Sequence, residues 1–103
     1  MTDQLFPDAT RRTLPPLYSQ ESLGDDATAF VKFFTPDSSW TWFATEFDGD
    51  DTFFGLVDGH EQELGYFCLT ELRSARGPLG LLIERDEHFV PETLAQVRRG
   101  RPR

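Results

Sequence analysis

A chain of 103 residues with a formal net charge of −8 is one acidic domain, long enough to bury a core without staples. Its one cysteine excludes an intrachain disulfide, and no apolar run approaches the ~20 residues of a membrane span. With no apolar segment of signal-peptide length at the start, the expectation is a soluble, cytoplasmic protein with no membrane partner.

The predicted organisation is a single α+β domain. Residues 1–19 form an arm that packs on the core, residues 20–97 the domain proper with a C-terminal helix, and residues 98–103 a basic, disordered tail. In the arm, Asp8 caps a helical turn through Arg11 and Arg12, and Leu14-Pro15-Pro16-Leu17 forces an extended path. Leu5, Phe6, Leu17 and Tyr18 pin it. Gly24-Asp25-Asp26 marks a turn before the first strand.

Four strands are predicted, Ala27–Phe34, Trp40–Phe47, Thr52–Val57 and Glu63–Leu69, each dense in aromatic or β-branched residues. Asp48-Gly49 and Asp58-Gly59 begin two of the intervening turns, a hairpin signal. Short loops between successive strands imply an antiparallel meander. Thr70 then caps a short helix through Leu72 and Ala75, which Gly77-Pro78 ends. Leu79–Ile83 reads as a fifth strand, and PETLAQVRR from Pro91 as a terminal helix with Leu94 and Val97 on its apolar stripe. The result is a four- to five-stranded antiparallel sheet with short helices at both ends.

Alternation assigns Ala29, Val31 and Phe33 to one face of the first strand, and Thr28, Phe30, Lys32 and Phe34 to the other. On the second strand Trp40, Trp42 and Ala44 alternate with Thr41, Phe43, Thr45 and Phe47. Neither face is polar, so one packs on the core while the other is covered by the arm, the terminal helix or a partner.

Charge is unevenly spread. Between Glu21 and Glu71 stand twelve acidic residues against one basic residue, Lys32, whereas the last six residues hold four arginines. An acidic face suits a basic partner, and the sheet itself lacks the clustered Lys and Arg that bind phosphate.

Candidate chemistry is sparse. Cys68, in the run Tyr66-Phe67-Cys68-Leu69, reads as a buried, inert thiol. Glu46 to Asp51 lacks the ligand spacing of a calcium loop and reads as a solvated acidic hairpin. Glu84, Asp86 and His88 alternate, so an extended backbone places two carboxylates and an imidazole on one face, a set able to ligate a divalent metal or move protons. The alternative is a strand end with an ion pair to Arg85 or Arg76. Arg76, beside the Gly-Pro-Leu-Gly turn, is expected to hold a neighbouring carboxylate bidentately, and Asp37 to form an Asx-turn with its own backbone.

Taken together, LPPLY at Leu14, KFFTPDSSWTWFATE, the GLV…ELGYF hairpin and RGPLGLLIERD resemble an uncharacterised bacterial family, domain of unknown function 2958. The likeness runs from about Leu14 to Pro91, with Leu82 standing where the family pattern has proline. The resemblance implies carriage on plasmids, integrated elements and phages, often among genes that counter host defence. It implies no activity, cofactor or catalytic residue.

The preferred reading is a non-enzymatic interaction protein that binds an unidentified protein through Asp37, Trp40, Trp42, Asp48, Asp50 and Asp51, as a monomer or dimer and without a cofactor. Complementary charge would speed association and a buried tryptophan would supply affinity. One alternative is single-stranded nucleic-acid binding, with bases on Trp40, Trp42 or Phe43 and Arg98, Arg99, Arg101 and Arg103 on the backbone. The other is a small metal-dependent enzyme using Glu84, Asp86 and His88.

Overall fold

Aspartate-glycine loops too short for a crossover lay successive strands side by side, and a computed structural model that describes residues 4–100 has this arrangement. In chain order the strands are β1 (Thr28–Ala29), β2 (Val31–Phe34), β3 (Thr41–Phe47), β4 (Thr52–Asp58), β5 (Gln62–Cys68), β6 (Glu84–Arg85) and β7 (Glu92–Thr93). The helices are α1 (Asp8–Arg11), α2 (Leu69–Ser74) and α3 (Leu94–Arg98), with a 3₁₀ segment at Glu21–Asp26. Strands β2 to β5 form the meander, and β6 adds to β2, giving an antiparallel sheet in the order β5-β4-β3-β2-β6. Strands β1 and β7 make a separate two-stranded ladder. The architecture is α+β.

Both faces of the larger sheet are covered by the chain itself. On one face Val31, Phe33, Ala44, Phe47, Phe53 and Phe67 meet Phe6 from the arm and Leu69 and Leu72 from α2. Phe6 is fully buried and stands edge-on to Phe47 and Phe53, with ring centres 5.0 and 5.1 Å away. This geometry sets the positive rim of one ring against the negative face of another. The Arg11 guanidinium of α1 lies over Phe6 and Phe47 at 5.0 and 5.2 Å, closing the cluster. On the other face Phe43 and Leu56 pack under Leu94 and Val97 of α3, with Ala27 and Ala29 beside them.

Ala29 therefore does not share a face with Val31 and Phe33, as uninterrupted alternation from Ala27 to Phe34 would require. The run breaks at Phe30, whose N–H donates to the Ala44 carbonyl at 2.9 Å, and β1 leaves the sheet to pair with β7. Likewise Phe47 faces the first core because the β3–β4 register shifts between Ala44 and Glu46, so an extra residue reverses the alternation.

The arm is tied down by a buried carboxylate. Glu46, 3 % exposed, accepts the Tyr18 N–H on Oε1 and the Gln20 N–H on Oε2, each at 2.8 Å. Gln20 extends the network, donating from Nε2 to the carbonyls of Thr28 and Thr45 and accepting the Thr28 N–H on Oε1. Tyr18 has φ of 73°, a left-handed conformation uncommon outside glycine. Its backbone is thus fixed at the core margin, but its side chain is 63 % exposed and does not pin the arm.

Several element boundaries differ from those read in the sequence. Helix α1 begins at Asp8 after Pro7, with no side-chain cap, so Asp8 lies inside it and does not cap it. Leu79–Ile83 is not a strand: the Gly80 N–H bonds the Gly77 carbonyl in a tight turn, Leu82 bridges back to Arg76, and sheet pairing begins at Glu84. Helix α2 starts at Leu69, capped by Cys68 and Glu71, so Thr70 lies inside it. Helix α3 starts at Leu94 because Thr93 and Gln96 form the reciprocal capping pair, while Glu92 and Thr93 remain in β7.

Replacing Glu46 by alanine leaves two inward-facing N–H groups without an acceptor and should lower the unfolding free energy by about 3 kcal/mol. Glu46→Gln, which keeps one acceptor oxygen, should cost less. Denaturant titration of both variants measures the difference, and equal, negligible losses would mean that the arm is held by Phe6 alone.

Candidate interaction surface

The six residues expected to bind a partner do not form one patch. Asp37 and Trp40 belong to the β2–β3 turn, Asp48, Asp50 and Asp51 to the β3–β4 turn, and the seven residues of β3 separate the two turns. At ~3.3 Å per strand residue that separation is about 20 Å.

Three of the four aspartates have intramolecular partners. Asp37 Oδ2 accepts the Leu79 N–H at 2.7 Å, across 42 residues of sequence, instead of closing an Asx-turn on its own backbone. Its Oδ1 is buried over Gly77, where a Cβ would collide with the carboxylate. The TPDSSW and RGPLG motifs are therefore two halves of one latch. Among the described residues Arg76 holds no carboxylate; its guanidinium donates to the carbonyls of Ser74 and Ala75 at 3.1 Å, closing the end of α2. Asp48 Oδ1 accepts the N–H groups of Asp50, Asp51 and Thr52, and these bonds hold its carboxyl below the ordinary aspartate range. Asp51 Oδ1 accepts from the Thr70 N–H and hydroxyl, serving the first turn of α2 from a distant loop. Asp50 is exposed.

The tryptophans do come together. Trp40 and Trp42 lie 6.1 Å apart, and His60 meets Trp40 edge-on at 5.6 Å. Gly59 makes room for them, since a Cβ there would enter the Trp40 ring. This cluster opens onto a groove of about 420 Å³ that follows β5 past Glu61, Glu63 and Gly65. On the opposite face of β5 a second groove, of about 160 Å³, lies between Tyr18, Phe54, Leu64 and Tyr66. Tyr66 is 56 % exposed and Leu64 43 %. The nearby Tyr18 hydroxyl, first among several causes, raises the Tyr66 hydroxyl above the ordinary tyrosine range. These two exposed side chains on β5 have no counterpart in the sequence reading. The signal was present: Leu64 and Tyr66 alternate with Glu63 and Gly65 on what became the last strand of the meander.

Glu84, Asp86 and His88 line a cleft of about 610 Å³ between β6 and the β2–β3 turn. Asp86 pairs with the buried Lys32 ammonium at 3.7 Å and accepts the His88 backbone N–H at 2.9 Å. The ion pair is thus with Lys32, not Arg85 or Arg76. Among the described residues no cluster of three or more His, Cys, Asp or Glu side chains can hold a metal ion. Cys68 is half-buried, not buried; desolvation and the adjacent Glu71 and Asp51 carboxylates push its thiol up, away from the reactive thiolate. Of the arginines proposed for nucleic acid, Arg98 closes α3 and bonds Asp25 Oδ1 through Nε at 3.1 Å, so it belongs to a helix and not to a tail. Arg99 is exposed at the end of α3, and Arg101 and Arg103 lie outside the described residues.

The family model described as "Protein of unknown function (DUF2958)" matches residues 5–97. No curated protein and no solved structure matches the chain. Among the described residues no helix is long and apolar enough to cross a membrane.

Two stability measurements check the acidic turns. Gly77→Ala should cost about 2 kcal/mol in the native chain but markedly less in an Asp37→Ala background, where the Cβ meets no carboxylate; additive losses in this double-mutant cycle would contradict the latch. For Asp48 the folded carboxyl titrates below the unfolded one, so its contribution is present above the unfolded value near 3.8 and disappears as pH falls through the folded value. Asp48→Ala should therefore be less stable than the native chain at neutral pH, with the gap closing in acid. A gap independent of pH would assign the loss to packing.

Proposed function

The chain belongs to the DUF2958 family, and on that premise we propose that it is a non-enzymatic, cytoplasmic accessory protein of a mobile genetic element that acts by binding another protein. The observation that carries this reading is the electrical division of the sheet. Strands β3, β4 and β5 contain no lysine or arginine, whereas Lys32 and Arg85 lie on β2 and β6. The base-free half also bears Trp40, Leu64 and Tyr66, each exposed by a third or more. Acid alone keeps a domain soluble; acid around exposed aromatic side chains matches the rim and anchor of an interface. The partner class is a basic protein surface, and a host-defence, conjugation or replication component fits the setting that the family resemblance implies.

The nucleic-acid alternative draws on less, since Arg98 is already paired with Asp25 and the tryptophan cluster is bordered by Glu61 and Glu63. The enzymatic alternative rests on a cleft in which Asp86 is already engaged by Lys32.

Charge reversal tests the proposal, and its positions must be ones the fold does not use. Asp48 and Asp51 accept backbone hydrogen bonds, so Asp50→Lys, Glu61→Lys and Glu63→Lys are combined instead. Affinity capture from a host lysate at low salt should retain one stoichiometric protein with the native chain and lose it with the triple variant. Retention unchanged by the variant, or retention of nucleic acid alone, would overturn the proposal.

A further inference from the structure

We infer that β5 is a docking edge that accepts an extended, basic-and-apolar segment of a partner protein as a sixth strand. This inference rests on the protein-binding reading above and specifies where and how the partner binds.

Strand β5 ends the sheet, with β4 on one side and, among the described residues, no strand on the other. Its seven residues pair with β4 in unbroken register from Thr52↔Cys68 to Asp58↔Gln62. Proteins usually blunt such an edge with proline, lysine, a bulge or a covering segment, because its outward N–H and C=O groups are a template for another chain. Strand β5 has no proline, lysine or bulge, and four of its seven residues, Gln62, Glu63, Leu64 and Tyr66, are exposed. The opposite edge is different: β6 is two residues long and is flanked by the Lys32–Asp86 ion pair.

Side-chain positions on the two faces of β5 define what the added strand must carry. On one face Leu64 and Tyr66, with Tyr18 beyond them, form an apolar groove. On the other, Gly65 pairs with Gly55, and a Cβ built on Gly65 meets nothing within 4 Å, so the edge is notched there. Glu61 and Glu63 stand beside that notch with Trp40 and His60. An incoming strand points alternate side chains to opposite faces. Apolar side chains would enter the groove of Leu64 and Tyr66, while lysines or arginines would pass over the notch to Glu61 and Glu63. A second copy of this chain is a poorer match, because its β5 carries no lysine or arginine to meet Glu61 and Glu63. Main-chain bonds would supply affinity and the two grooves specificity, the logic of strand addition.

The probe is an acetylated, amidated peptide of about eight alternating lysine and valine residues, close to the common strand length. It is titrated into the isotope-labelled chain and followed by amide NMR. Saturable binding should perturb Gln62–Cys68 and Tyr18 most. Methylating alternate backbone nitrogens of the peptide should weaken it roughly tenfold or more. A glutamate-for-lysine version should not bind, and Leu64→Lys with Tyr66→Lys should abolish binding. Perturbations centred on the Asp37–Trp40 or Asp48–Asp51 turns, or indifference to N-methylation, would overturn strand addition and leave the protein-binding reading in place. Absence of binding by the probe would also overturn it; the protein-binding reading then stands if the Leu64→Lys, Tyr66→Lys variant still captures the same lysate protein, lost only on Glu61 and Glu63 reversal, and falls if nothing is captured. Concentration-dependent self-association that protects β5 amides from exchange would replace the heterologous partner with a second copy.

Discussion

A single sheet that is apolar on both faces has to be covered twice, and in a chain of this length every non-strand element is recruited to that task. Phe43 and Leu56 point one way while Phe33 and Phe53 point the other. At roughly 25 cal/mol per Å² of apolar surface, leaving either set wet would forfeit several kcal/mol. The arm and α2 close one face, and β7 with α3 closes the other. The pairing of β1 with β7 follows from the same need, because it brings Leu94 over Ala27 through a backbone bond of 2.9 Å. The short helices are lids whose stability comes from what they cover, since helices of four to six residues have little of their own.

Holding such short lids demands directional contacts, and the acidic residues provide them. Glu46 fixes the arm, Asp51 the start of α2, Asp37 the Gly77–Leu82 turn and Asp25 the end of α3. In each case a carboxylate receives donors from a segment distant in sequence, and charge-assisted bonds of this kind are stronger than neutral ones. A large share of the negative charge is thus structural. What remains at the surface of the β3–β5 half is a smaller set, Asp50, Glu61 and Glu63, and these are the charges a partner would meet.

The meander was legible because its information is local: aromatic alternation, Asp-Gly turns and loop lengths each constrain a few neighbouring residues. The strand limits fell within two residues of those expected for β3, β4 and β5. The parts that were not legible depend on distant partners. Nothing near Asp37 announces that its acceptor will serve Leu79, and nothing near Thr28 announces that β1 will pair with Glu92 and Thr93. Leu79–Ile83 had the composition of a strand, but the Gly77–Gly80 turn consumes the backbone positions that a ladder would need. The candidate site shifted for the same reason. Acidic residues are conspicuous in a sequence whether they face solvent or a backbone N–H, whereas an open sheet edge exists only once strand order is known.

Strand order also explains why the two edges of the sheet have such different characters. The edge at β6 forms late in the chain, from residues that first make a turn with the β2–β3 loop, so it is short, latched and internally paired. The edge at β5 is the free end of a meander that grew outward from β2, with each new strand covering the last. A meander always leaves its final strand open unless a later segment returns to it, and here the later segments are committed to β2, to β1 and to the second core. Those commitments follow from the double coverage of the sheet, so the exposure of Leu64 and Tyr66 is a consequence of the packing constraint and not an isolated surface accident.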